Sequence, residues 1–146
     1  MYRDIEDWIL NVLSKPEKVF ANLPPCPFAK KAWIENMVDV KEFISFEQME
    51  EDFKELKEVM IFRFEDISAR DLEDIAKEYN QKYPNFLFLE EHPDLVECFD
   101  GLVTNHGKAM LIVQDRKELE DARKQLQRTG YYDNWSEDLK ERILNR

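Results

Sequence analysis

The sequence predicts an α/β domain: a mixed sheet of four to five strands with helices on both faces, with an α+β arrangement as the alternative. Three observations carry this. From Val38 onward the apolar residues alternate between two-residue spacing and three- to four-residue spacing, the periods of strand and helix. Three capping pairs, Ser45/Gln48, Ser68/Asp71 and Asp115/Glu118, mark helix starts at the ends of strand-like runs. With three glycines in 146 residues and no Ser/Gly-rich or Pro-rich linker, nothing divides the chain. Residues 1–146 are therefore read as a single domain: an N-terminal helical and proline-rich segment over 1–37, a sheet core over 38–128, and a tail helix within 129–146.

Taken in order, Ile5, Trp8, Ile9, Val12 and Leu13 share one face of a helix over 3–13. Ser14 is expected to cap a short helix carrying Val19 and Phe20, before Pro24, Pro25 and Pro27 fix the backbone and remove its donors. A short helix follows in FAKKAWIENM, then a strand over 38–44. Met49, Phe53 and Leu56 stripe the helix after Ser45. VMIFRF, residues 59–64, reads as a strand. Leu72, Ile75, Ala76 and Tyr79 line the helix after Ser68, and Pro84 and Asn85 stop it before the strand FLFLE. HPDLVECFDG is expected to form one or two helical turns between Pro93 and Gly101. LVT and AMLIV, flanking NHGK, are expected to pair as a hairpin. Leu119, Ala122 and Leu126 line the helix after Asp115, Gly130 ends it, and a tail helix over 136–145 carries Leu139 and Ile143.

Hydrophobic residues are 43% of the chain and include ten Phe, too much apolar material for a disordered segment. No apolar run approaches the roughly 20 residues of a membrane-spanning helix, and the acidic start MYRDIED lacks a secretory signal's basic and apolar regions. A cytoplasmic protein with its two cysteines reduced is expected, without a membrane partner. The formal charge of −11 repels phosphate backbones, so nucleic acid is not expected either. A protein or small-molecule partner remains; the oligomeric state is not legible.

The stretch VMIFRFEDISARDLEDIAKEYNQKYPNFLFLEE, within a β-α-β-α-β order closed by the expected hairpin, resembles the layout of the thioredoxin-like fold over about 90 residues. That resemblance implies a scaffold without the redox activity. Glu65, Asp66, Ile67 and Ser68 stand where the family carries its cysteine pair, and CFDGLVT lacks the family's proline. A ferredoxin-like sheet is the runner-up. CPFAKKA, residues 26–32, is similar to the glutaredoxin motif of Cys, Pro, an aromatic and Cys before a helix, with Ala29 in the second cysteine's place. With Trp8 upstream it is also similar to a Cys-Pro-Phe-Ala stretch in an uncharacterised bacterial protein family of unknown function.

Cys26 is the candidate catalytic residue. A helix dipole together with Lys30 and Lys31 would favour its thiolate, the nucleophilic form. Against this stands a plain structural role, a small apolar residue in a rigid corner, which ranks first. His92, Glu91 and Asp94, with Glu90 beside them, form a candidate acid/base or metal cluster near a strand end. His92, Cys98, His106 and Cys26 are four zinc-type donors without paired spacing. Each has a packing alternative: Cys98 turned inward beside Val96 and Phe99, His106 at a hairpin tip, and Trp135 stapling the last helix to the core. No Gly-rich phosphate loop, nucleophile elbow or Walker lysine occurs, and no cofactor is expected. The first functional expectation is therefore a binding or protein-interaction module without redox activity. The second is a glutaredoxin-like enzyme using Cys26 as a single nucleophilic thiol.

Overall fold

The structure, a computed structural model, describes residues 2–99 and 101–145. It is a mixed α/β fold around a four-stranded sheet: β1 (Val38–Glu42), β2 (Val59–Arg63), β3 (Phe86–Glu91) and β6 (Met110–Asp115), with β4 (Cys98–Phe99) and β5 (Leu102–Val103) forming a separate two-stranded ladder. The helices are α1 (Arg3–Trp8), α2 (Ala29–Ile34), α3 (Phe46–Phe53), α4 (Ala69–Lys82), α5 (Arg116–Arg128) and α6 (Glu137–Leu144). Among the described residues no helix is long and apolar enough to cross a membrane.

The sheet order is β1-β2-β6-β3, with β1 and β2 parallel and β6 antiparallel to both its neighbours. The strand-helix-strand unit expected over β1, α3 and β2 is present, but β6 separates β2 from β3. Burial explains the order. β2 and β6 carry the unbroken apolar runs VMIF and MLIV, which suit strands covered on both faces, whereas Asp39, Lys41 and Glu42 place β1 at an edge. β3 forms the other edge. There the Asn80 side-chain amide meets both backbone polar groups of Phe88, accepting from its N–H (2.8 Å) and donating to its carbonyl (2.9 Å).

Strand alternation distributes the core to two faces. Met60, Phe62, Leu111, Val113 and Phe88 pack beneath α3 and α4. Ile61, Met110 and Ile112 face Ile5, Trp8 and Ile9 on the other side, and α2 joins that layer through Ala29 and Trp33. A third cluster joins the proline corner to the tail: Phe20 meets Phe99 and Trp135 edge-on, each at 5.3 Å between ring centroids, with Tyr131 and Leu139 buried alongside. Trp135 thus packs inward, and the Tyr131 hydroxyl donates to the Pro24 carbonyl.

Five local expectations need correction. The helix over 3–13 ends as a π turn across Ile9–Leu13, with Ser14 N–H bonded to the Ile9 carbonyl at 3.0 Å. Ser14 does not cap the following short 3₁₀ segment, Lys18–Phe20, whose N-cap position is Glu17. Residues 92–97 form a turn, not a helix, and Cys98 and Phe99 then enter a strand; Asp100 lies outside the described residues. Leu102 and Val103 consequently pair with Phe99 and Cys98 rather than with β6, and Gly101 turns at φ +88°. Two-residue alternation in β4 sends Phe99 inward and Cys98 outward, which reverses the inward placement expected for Cys98.

Candidate functional site

A cleft of about 600 Å³ opens on the second sheet face. Val59, Ile61 and Ile112 form its floor, the π turn and α2 one wall, and α5 the other. Ile9 and Leu13, at either end of the π turn, both line the cleft. Trp8 beside them is held by its indole N–H, which donates to the Thr104 carbonyl at 2.8 Å. The helix α5 presents Leu119 and Ala122 to the cleft yet buries no residue fully, whereas α3 and α4 each bury their apolar stripes. The space between α5 and the sheet is thus apolar and open, of a size that suits a small organic ligand.

Cys26 lies on the cleft wall, half-buried. Its N–H donates to the Leu13 carbonyl (2.8 Å) and its carbonyl accepts from Ala29 (3.4 Å), so the proline corner is tied to both the π turn and α2. Burial pushes the thiol above the ordinary value of 9.0, against smaller opposing effects from the Phe28 and Ala29 backbone and the Arg123 charge. The cation acting on it is Arg123 from α5, beyond the reach of any sequence-spacing argument. At the start of a six-residue helix, desolvation outweighs the backbone donors.

His92 uses both ring nitrogens within the fold. Nδ1 accepts from the Asp94 N–H (3.0 Å), so Nε2 carries the proton and donates to the Ile67 carbonyl (2.7 Å), anchoring the end of β3 to the loop before α4. The Asp94 carboxylate stands 3.8 Å from Nδ1 and is 81% exposed, while Glu91 Oε2 accepts from the His106 N–H at 3.3 Å. Neighbouring residues at a strand end face opposite ways, so the structure brings Asp94 to His92 and sends Glu91 elsewhere. Among the described residues no group of three or more His, Cys, Asp or Glu side chains could hold a metal ion.

His106, expected at a hairpin tip, is 5% exposed. Its ring meets Trp8 edge-on at 5.4 Å, Nδ1 accepts from the Lys108 N–H (2.9 Å), and Nε2 lies 3.4 Å from Asp4 Oδ2. Asp4 Oδ1 is in turn 3.4 Å from Arg63 Nη1. This network fastens α1 to the carboxyl end of β2. Burial pulls His106 below its ordinary 6.5, with Asp4 opposing and Arg63 adding to the shift. The folded chain therefore binds fewer protons here than the unfolded one, so this contribution is complete above about pH 6.5 and declines as pH falls toward the lowered folded value. Urea midpoints for His106→Gln should accordingly fall less than wild type between about pH 7.5 and about pH 5.5; parallel slopes would remove His106 from the acid response.

No family model matches the chain, and neither does any curated protein or solved structure.

Proposed function

We propose that this chain is a binding protein without redox activity, whose ligand is a small molecule seated in the cleft between α2 and α5. The observation that carries the reading is the 600 Å³ apolar opening over Val59, Ile61 and Ile112, beside a helix that buries no residue of its own. The Cys26 thiol belongs to its wall, and the upward push on its pKa favours an apolar wall group over a nucleophile. The charge of −11 favours a small-molecule or protein partner over nucleic acid, and two unpaired cysteines suit a cytoplasmic setting.

The test is calorimetric titration of the chain with decanol, a neutral probe, in parallel with Ala122→Trp, which fills the cleft from α5. Saturable one-to-one binding to wild type, lost in Ala122→Trp with its circular dichroism unchanged, is the expected result. Absence of binding, or equal binding by the filled variant, would overturn the reading.

A further inference from the structure

The walls of the cleft differ in charge along its length, and this bears on what enters it. Five carboxylates line it, Glu35, Glu58, Asp115, Glu118 and Asp121, against two cations, Lys31 and Arg128. Lys31 stands one helical turn before Glu35 and moderates its charge at a distance, with no ion pair between the two among the described residues. Arg128 is ten residues beyond Glu118 on α5, roughly 15 Å along the axis. The end near Glu118 is therefore left negative. Asp115 already serves as the cap of α5, its Oδ1 accepting from the Glu118 N–H at 2.9 Å. Glu58, Glu118 and Asp121 form no ion pair among the described residues. A second recess shares Glu35, Glu58 and Glu118 with the cleft and adds Lys57, whose Nζ lies 3.9 Å from Asp39 Oδ1, so carboxylates outnumber cations at this end.

We propose that the ligand is a small amphiphilic cation, such as an alkyl or aryl amine, with its apolar body on Val59, Ile61 and Ile112 and its charged head at Glu58, Glu118 and Asp121. The proposal rests on the cleft being the binding site and adds the charge of its occupant. Desolvation first, and then the charges of Asp115, Glu58 and Asp121, raise the Glu118 pKa, and a bound cation would relieve the part owed to those carboxylates. An anionic amphiphile of the same length would meet that field unfavourably.

A matched series tests this: decylammonium, decanol and decanoate, each below its micelle concentration, titrated into wild type, into Glu58→Gln/Glu118→Gln/Asp121→Asn, and into Ala122→Trp. Decylammonium is expected to bind wild type on the order of tenfold more tightly than decanol, with decanoate weakest. The triple variant should erase that ordering while retaining decanol, and added salt should weaken decylammonium alone. Equal binding of all three by wild type, lost in Ala122→Trp, would overturn the charge assignment and leave the cleft reading intact. No binding of any member would overturn both. Should the triple variant not fold, the wild-type ordering and its salt dependence decide.

Discussion

Phe53→Ala is expected to cost about 3–5 kcal/mol of folding stability, the range for removing a fully buried aromatic ring. Phe53 is fully buried at the end of α3. Its ring lies 5.1 Å from Tyr83, 5.2 Å from Phe86 and 5.2 Å from Phe88 between centroids, joining α3 to α4 and to the edge strand β3 in one contact set. The cavity left by alanine would be walled by large rings anchored at the end of α4 and on β3, which limits collapse into the gap. A denaturation series should show the loss as a fall in Tm of roughly 10 °C. Leu119→Ala, at a position facing the cleft, should cost under about 1 kcal/mol, because little packs against it. Equal losses at both positions would contradict the contrast between a filled sheet face and an open one.

The second large effect concerns the thiols. With maleimide near neutral pH, Cys98 is expected to react quickly and Cys26 on the order of a hundredfold more slowly, because reaction requires both the thiolate and access to it. Cys98 is exposed on β4, whereas Cys26 is half-buried on the cleft wall and burial raises its pKa. The direction sets the pH profile: the Cys26 rate should still be climbing as pH passes 9.0, the ordinary thiol value, rather than levelling. Stopped-flow kinetics on Cys98→Ser isolates the slow site. A fast Cys26 reaction already saturated at neutral pH would reinstate the single-thiol enzyme.

Much of the fold could be read from residue spacing, because helix and strand periods are local. Ser45, Ser68 and Asp115 each accept from the backbone N–H three residues on, as their capping pairs imply. Strand order was not legible, since the insertion of β6 between β2 and β3 depends on which apolar runs are buried on both faces, a property of the whole sheet. The hairpin lies elsewhere than the spacing predicts for a local reason: Asp100-Gly101 is itself a strong turn signal, but it closes a stretch, HPDLVECFDG, that also carries helix start and stop residues. Cys26 and His92 are legible as residues, but their chemical states depend on the fold around them, burial in the proline corner for one and the Ile67 carbonyl for the other. The cleft is not legible in the sequence, because Leu119, Ala122 and Leu126 have the spacing of an ordinary buried stripe. Only the packing shows that α5 buries none of this stripe fully and leaves a cleft over Ile112.

Whether that opening takes a ligand is tested most directly by methyl NMR during titration with decylammonium. Ile61 and Ile112 lie on the cleft side of β2 and β6, while Met60 and Val113, their neighbours in sequence, lie on the opposite face. Saturable shifts confined to Ile61, Ile112 and Val59 are the expected result. Shifts centred on Met60 and Val113, or none at saturating probe, would contradict the cleft as the place where this chain works.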